Sequence, residues 1–220
     1  MISMSNRDHT RTGIGAGLSV VAFTCFILFS LIVPSRSDDF MSAKDPGVFI
    51  DKLGEAAIQS LTAPGLTSDD RRQRFRDLLQ RSFNVPGIGR FVLGRYWNAA
   101  TDQERQDYLK LFEELIVRTY ADRFSEYSGE KFVVGKVQRD TERPKYATVF
   151  STIARPNKQA VRVDWRVRQE DDQTWRVVDV VIEGVSMSIT QRSEFASVIE
   201  SKGGTVKALI DTLRQKVQGA

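Results

Sequence analysis

Residues 83–97 read FNVPGIGRFVLGRYW, and the helices and strands of the chain are arranged around this stretch. One proline and two glycines fall between residues 85 and 89, which predicts a break between two helices. The second half carries five bulky apolar side chains within seven positions: Phe91, Val92, Leu93, Tyr96 and Trp97. This much aromatic area predicts either a buried corner between helices or the wall of an apolar pocket.

Two helical patterns precede this stretch. Asp45 followed by Pro46 has the form of an N-cap with proline in the first turn, which predicts a helix over residues 46–61. Thr67 and Asp70 have the spacing of a capping box, with Asp in place of Glu, and begin a second helix. Its first half contains arginines that form either a solvated face or a docking patch for an anionic lipid or an acidic partner. These are Arg71, Arg72, Arg74 and Arg76.

The longest helical pattern follows the opening stretch. Thr101 and Glu104 have capping-box spacing, and they predict a helix that runs over about residues 102–127. Its apolar stripe recurs at steps of three and four residues: Leu109, Phe112, Ile116, Tyr120 and Phe124. The same periodicity places Glu113 and Glu114 on the exposed flank, which argues against a catalytic pair of carboxylates.

The second half of the chain has the alternation typical of strands. Four segments are predicted, at residues 131–139, 145–155, 158–169 and 174–183. The third alternates most clearly, with Val161, Val163, Trp165 and Val167 on one side. The opposite side of this strand carries Arg162, Asp164, Arg166 and Arg168. Short turns between the segments predict an antiparallel meander. Two further helices are predicted, from residue 190 and over 205–217.

These elements define an α+β fold class, in which helices pack on a curled, cone-like, four-stranded antiparallel sheet and two helices end the chain. Such a cone is either filled by its own side chains or open as a pocket. Its many phenylalanines, tyrosines and tryptophans fit both: they fill a core, or they line a site for an apolar ligand.

The first residues have the features of an export signal. Residues 13–33 contain no charged side chain, and Arg7 and Arg11 precede them. This pattern predicts a signal peptide over residues 1–37, cleaved after Ser37. The apolar run is also about as long as the 20 residues that span a bilayer, so an uncleaved inner-membrane anchor is the alternative. Residues 38–220 then form a single α+β domain.

Several kinds of chemistry are excluded for such a domain. Cleavage would remove His9 and Cys25, the only histidine and the only cysteine of the chain. Catalysis by Ser-His-Asp or Cys-His, and a metal site built on thiolate or imidazole, would then be impossible. The net charge of +4 is spread over a mixed surface, whereas nucleic-acid binding needs a concentrated basic stripe. We therefore expect no nucleic-acid partner, no metal and no cofactor.

Four blocks of the sequence resemble one known family. They are FNVPGIGRFVLGRYW, TYADRFSEYSG at the end of the long helix, VVDVVIEGVSMSITQRSEFASVI, and GGTVKALIDTLRQK near the C-terminus. In this order they are similar to the periplasmic phospholipid-binding proteins of the MlaC or toluene-tolerance type. The blocks lie within residues 45–217, and none is a catalytic signature.

The resemblance implies a monomeric periplasmic carrier without catalytic activity. Such a carrier holds the acyl chains of a phospholipid between sheet and helices. It passes the lipid between an outer-membrane lipoprotein complex and an inner-membrane ABC transporter complex. The resemblance places the cavity wall at residues that face the space between helices and sheet. These are Val92, Tyr96, Trp97, Leu109, Phe112, Ile116, Tyr120, Phe150, Val163, Trp165, Val180 and Ile182.

Three alternatives stay open at this point. A related branch of the family implies a hopanoid in place of the phospholipid. A cone-fold enzyme would use Asp179 as a general base, because the valines that flank this residue indicate that it is buried. The structural alternative is that Asp179 pairs with a neighbouring arginine or caps a turn. An adaptor whose cavity is filled by its own side chains is the third.

Overall fold

Seven α-helices and five strands follow one another in the computed structural model, which describes residues 40–155 and 158–219. The first block consists of α1 (Pro46–Leu61), α2 (Ser68–Ser82), α3 (Val85–Leu93), α4 (Tyr96–Ala99) and α5 (Asp102–Tyr120), then a 3-10 helix (Ala121–Glu126). The second consists of β1 (Lys131–Arg139), β2 (Tyr146–Ala154), β3 (Val161–Gln169), β4 (Trp175–Ile182) and β5 (Val185–Ser186). The third consists of α6 (Met187–Ser201) and α7 (Val206–Gln218). The predicted signal peptide lies outside the described residues.

The predicted helix caps are confirmed. The Asp45 carboxylate accepts hydrogen bonds from the first backbone N–H groups of α1, at 2.8 Å for Gly47. Thr67 and Asp70 form a reciprocal capping box at the start of α2. The same arrangement begins α5. Because capping residues satisfy N–H groups that have no partner inside the helix, they fix these helix starts from the sequence alone. None of the helices within 40–155 and 158–219 is long and apolar enough to cross a membrane.

The predicted break between residues 85 and 89 is wrong, because α3 runs through it. Asn84 caps this helix, and its side-chain oxygen accepts a hydrogen bond of 2.8 Å from the backbone N–H of Gly87. Gly89 lies where α3 meets α5, and a Cβ there would be only 2.7 Å from Cδ2 of Leu109. The glycine therefore permits close packing of two helices and does not interrupt one.

The long helix is shorter than predicted. α5 ends at Tyr120, and the chain continues to Glu126 as a 3-10 helix. In this tighter winding Phe124 packs on Phe75 of α2, with 6.1 Å between the ring centres. The segment therefore stays against α2 until the chain turns into β1.

The sheet is an antiparallel meander in the order β1-β2-β3-β4-β5. The predicted α+β class and antiparallel sheet are confirmed, but the count of four strands was one too few. β5 is only two residues long, too short for an alternating pattern, and it follows a tight turn in which Glu183 and Gly184 have positive φ. Ser186 then caps α6, which begins at Met187 and not at residue 190 as predicted.

The strand register sorts the side chains into two faces. One face, the apolar face, contains the row Val137, Val149, Trp165 and Val180 and the row Val134, Ser151, Val163 and Ile182. It also contains the row Arg139, Ala147, Val167 and Val177 and the row Phe132, Ile153 and Val161. The other, the polar face, contains the row Gln138, Thr148, Arg166 and Asp179. The clean alternation predicted for the third strand is therefore confirmed.

Two clusters of buried side chains form the core. The first, the helical cluster, lies among α3, α5, α6 and α7 and includes Val92, Phe112, Phe195 and Leu209. The second joins α1 and α2 to the apolar face of the sheet and includes Phe49, Leu78, Val149 and Trp175. The chain therefore has helical layers on the apolar face and a separate helical bundle beside the sheet.

Candidate functional site

The apolar face is closely covered at one end and more loosely covered at the other. The apolar side chains in the row of Val167 are buried, with Ala147 at 4% exposure and Val167 and Val177 at 0%. In the next two rows only some side chains are buried, and in the row of Phe132 all three are half-buried. Among the apolar side chains, the row of Val167 is therefore the most buried and the row of Phe132 the least buried. Arg139, which pairs with Ala147 at the β1 edge, is the one charged side chain in these four rows.

Helix α1 approaches this loosely covered end through glycine. A Cβ at Gly54 would lie 2.5 Å from the ring of Phe132, which leaves no room for a side chain there. Phe132 meets Trp165 edge-to-face, with 6.1 Å between the ring centres. Helix α1 and these two rings therefore pack against one another over the least buried rows of the sheet.

The polar side-chain atoms at this end of the apolar face are satisfied. The indole N–H of Trp165 donates to Oγ of Ser151 at 2.9 Å, and this hydroxyl donates to the carbonyl of Val163 at 2.7 Å. The hydrogen bonds fix the orientation of the indole ring and use only its N–H, so the rest of the ring surface makes apolar contacts, one of them with Phe132. This end of the apolar face is therefore suited to a hydrocarbon ligand.

The five sheet residues predicted to line a cavity do not all share one face. Val163, Trp165, Val180 and Ile182 lie together on the apolar face. Phe150 is paired with Asp164 and lies on the polar face. The structure thus brings four of the five together at the loosely covered end.

The seven predicted helical residues lie away from that end. Val92 and Phe112 are buried in the helical cluster, and four others pack against it: Tyr96, Trp97, Leu109 and Ile116. The indole ring of Trp97 lies between the guanidinium groups of Arg90 and Arg105, at 5.9 and 5.4 Å. Tyr120 is exposed. Six of the twelve predicted residues therefore belong to the helical cluster, four lie on the apolar face of the sheet, and Tyr120 and Phe150 lie apart from both.

The stripe predicted for α5 omitted a central core residue. Tyr108 is completely buried, stacks on Phe112 and donates its hydroxyl to the carbonyl of Gly89 at 2.9 Å. Burial raises the pKa of the Tyr108 phenol above its usual range. Its position four residues before Phe112 was the sequence signal that could have identified it.

The arginines of α2 bind other parts of the chain. Arg71 and Arg74 donate to carbonyl groups at the end of α1, and Arg72 pairs with Asp122 of the 3-10 helix at 2.7 Å. Arg76 reaches two carboxylates of α5. These arginines therefore do not form a simple solvated face, because most of their contacts hold α2 to its neighbours.

The two carboxylates bound by Arg76 are Glu113 and Glu114, at 3.0 and 2.6 Å. Their placement on an exposed flank was wrong, because their side chains are only 21% and 27% exposed. Burial alone would raise the pKa of Glu114, but hydrogen bonds from Arg118 and Arg76 hold it below its usual value. The pair acts as an ion-pair link between helices and has no free carboxylate for acid–base chemistry.

Asp179 is buried and has three hydrogen-bond donors. Its carboxylate accepts from Nη1 of Arg166 at 3.0 Å, from the Ser186 hydroxyl at 2.7 Å and from the backbone N–H of Ser188 at 3.1 Å. These bonds join β4 to the start of α6. The arginine pairing considered for Asp179 is what the structure shows, and this arrangement accounts for the buried carboxylate without a catalytic role.

A cleft of about 820 Å³ opens on the polar side of the sheet, and we call it the arginine cleft. α3 and the start of α6 form one wall, the polar face forms the floor, and the β1–β2 turn forms the rim. Its lining residues are Asn84, Gly87, Ile88, Phe91, Gln138, Arg139, Asp140, Thr141, Arg143, Tyr146, Ala147, Thr148, Arg166, Arg168, Val178, Asp179, Ser188 and Ile189. None of the twelve residues predicted to bind lipid is among them. The alternation of β3 placed Arg166 and Arg168 on one side of the sheet, but the cleft was not predictable because α3 was not expected there.

Comparisons with known proteins agree on one family. The model of the MlaC protein family matches residues 51–215. The intermembrane phospholipid transport system binding protein MlaC of Haemophilus influenzae is 27% identical over 138 residues, which are 61% of each chain. The chain thus spans about 61% of the length of that relative.

A solved structure supports the fold. It is a phospholipid-binding protein from Ralstonia solanacearum, determined in complex with a phospholipid, and it is 24% identical in sequence. The two superimpose with a TM-score of 0.69, over 77% of this chain and 95% of the other. The likeness shows a shared architecture of helices and antiparallel sheet.

Proposed function

The chain belongs to the MlaC protein family, and on this basis we propose that it is a periplasmic carrier that holds the acyl chains of a phospholipid. It would pass the lipid between an outer-membrane lipoprotein complex and an inner-membrane ABC transporter complex. The related protein of Haemophilus influenzae has a name that describes intermembrane phospholipid transport, and the Ralstonia solanacearum protein binds a phospholipid.

The increase in exposure along the apolar face is the observation that supports a lipid site. The rows from Val137 to Phe132 keep part of their apolar surface exposed, and this surface is available to a hydrocarbon chain. Removing such surface from water contributes about 25 cal/mol per Å². Acyl chains that lie along these rows would gain that free energy, and the polar headgroup would stay outside, because these rows carry no charged side chain.

Three of the four sheet residues are the best candidates for direct contact with the acyl chains. Trp165, Val180 and Ile182 lie on the apolar face and are half-buried, whereas Val163 beside them is only 4% exposed. The helical residues are different, since Val92 and Phe112 are only 1% and 3% exposed. All seven helical residues would join the lining only if the helical cluster separated from the sheet; the other five are Tyr96, Trp97, Leu109, Ile116 and Tyr120. Phe150 would require a rearrangement of the sheet itself.

The lipid content of the native protein tests this proposal. We expect protein purified without delipidation to contain about one phospholipid per chain, measured by quantitative mass spectrometry of the extract. A hopanoid in the extract would assign the chain to the alternative branch. Protein that contains no lipid, and that takes up none from phospholipid vesicles, would refute the carrier function.

A further inference from the structure

The arginine cleft lies on the face of the sheet opposite the proposed lipid site. We propose that this cleft receives a segment of a partner protein that carries carboxylates beside apolar side chains. The inference rests on the proposed function, because a carrier that moves lipid between two complexes must bind each of them. The carrier would then contact each complex through a surface separate from the apolar face.

The wall of the cleft exposes unusually large apolar side chains. Phe91 of α3 is 43% exposed and Ile189 of α6 is 52% exposed, and both line the cleft together with the half-buried Ile88. The guanidinium group of Arg192 stacks on the Phe91 ring at 5.1 Å. Aromatic residues and arginines are enriched where protein partners bind.

The floor of the cleft supplies hydrogen-bond donors for carboxylates. Arg166 uses Nη1 to hold Asp179, and its side chain remains 50% exposed. The Nε group of Arg168 is buried and has no acceptor in the described part of the chain. Arg143, at the rim, is 68% exposed although it pairs with Asp140. Guanidinium groups form charge-assisted hydrogen bonds with carboxylates, so the exposed side chains of Arg143 and Arg166 can recognise acidic side chains, whereas the buried Nε of Arg168 is not accessible to a partner.

The mixture of charges favours a protein over a membrane surface. Asp140 and Asp179 line the cleft among the arginines, and Glu170 pairs with Arg168 beside it. A uniformly anionic membrane cannot match a surface on which carboxylates alternate with arginines, and it is too flat to enter a concave site. A protein segment can place single carboxylates against the arginines and apolar side chains against Phe91, so its charges complement the pattern of the cleft.

Binding to the two complexes tests the assignment. The purified inner-membrane transporter complex and outer-membrane lipoprotein complex are immobilised, and the full-length carrier is titrated by biolayer interferometry. Arg143→Glu changes the rim of the cleft, and Phe91→Ala changes its wall. Both substitutions replace exposed side chains. We expect each to weaken binding to at least one complex by about tenfold.

Matched control variants lie outside the cleft. Arg95→Glu reverses a charge that is 73% exposed, and Val48→Ala truncates an apolar side chain that is 45% exposed. We expect these controls to change affinity by less than about twofold, in line with ordinary surface substitutions. Equal binding by wild type and both cleft variants would overturn the assignment. Binding to phosphatidylglycerol vesicles that the cleft variants lose, with partner binding retained, would also overturn it in favour of a membrane.

The lipid content of each sample separates this inference from the proposed function. Cleft variants that keep wild-type lipid but lose partner binding support both. Wild-type protein that carries lipid but binds neither complex would refute the cleft assignment and leave lipid binding intact. Protein without lipid would refute the carrier function, while a cleft-dependent loss of partner binding in the same samples would still support the docking surface.

Discussion

Replacement of Trp165 by alanine tests whether the acyl chains bind at the apolar face of the sheet or in the helical cluster. Trp165 lies in the middle of the apolar face, half-buried, with its N–H bound to Ser151 and its ring in contact with Phe132. If acyl chains lie along this face, the indole is their largest single contact. Trp97 offers a matched control, because the same change would be made in the helical cluster.

The magnitude follows from the area of the ring. An indole side chain buries roughly 150–250 Å², and a half-buried one leaves about 100 Å² for a ligand. At about 25 cal/mol per Å², that contact contributes about 2.5 kcal/mol, which corresponds to an affinity about 60-fold weaker after truncation. Trp97→Ala should change lipid affinity by less than about twofold, because its ring packs between two guanidinium groups away from the apolar face.

The assay is titration of delipidated protein with a fluorescent phospholipid, accompanied by urea unfolding of each variant. Trp165→Ala also removes packing, so Trp165→Phe serves as a second variant. It loses the hydrogen bond to Ser151 and about 1 kcal/mol of stability but keeps an aromatic surface for the lipid. Lipid affinity that falls more in Trp97→Ala than in Trp165→Ala would refute the sheet as the acyl-chain site and favour the helical cluster.

Three further predictions concern the contacts that hold the fold together. Arg76→Ala should lower the free energy of unfolding by about 1–2 kcal/mol in urea at pH 7, because it breaks two half-buried ion pairs. The folded-state pKa of Glu114 is lowered. The difference in unfolding free energy between wild type and Arg76→Ala should therefore be full above the unfolded-state pKa of about 4.3, and it should vanish as the pH falls through the folded-state pKa. A difference that grows in acid would contradict this prediction. Asp179→Asn should cost about 2–3 kcal/mol, because a buried acceptor of three hydrogen bonds is replaced, and an unchanged urea midpoint would show that the link to α6 is dispensable. Gly54→Ala should cost about 1–3 kcal/mol through its contact with Phe132, and a gain in stability would show that the ring can move aside.

The elements with strong local signals were predictable from the sequence. Capping pairs such as Thr67 with Asp70 fixed helix starts, because the first N–H groups of a helix must find acceptors nearby in the chain. The alternation around Trp165 fixed the two faces of β3, because successive side chains of a strand point in opposite directions. Both signals are local and need no knowledge of the partner element.

The errors concern residues whose conformation depends on distant neighbours. Gly89 was read as a helix breaker, but it is a small residue at a helix crossing, and only the approach of Leu109 explains it. Glu113 was placed on a solvated flank, because periodicity cannot show that Arg76 lies opposite it. The same limit applies to the candidate site: the twelve residues were chosen by facing within each element, whereas a shared cavity depends on how the elements pack.

The geometry of β3 explains why lipid binding and partner binding can be separated by single substitutions. Trp165 and Arg166 are neighbours in the chain, yet one belongs to the apolar face and the other to the floor of the arginine cleft. A strand places adjacent side chains on opposite sides of the sheet, so the two proposed sites share a backbone but no side-chain surface. A variant of either residue should therefore affect mainly its own face. If substitutions on the apolar face altered partner binding as strongly as those in the cleft, the sheet would have to move as a whole when lipid binds.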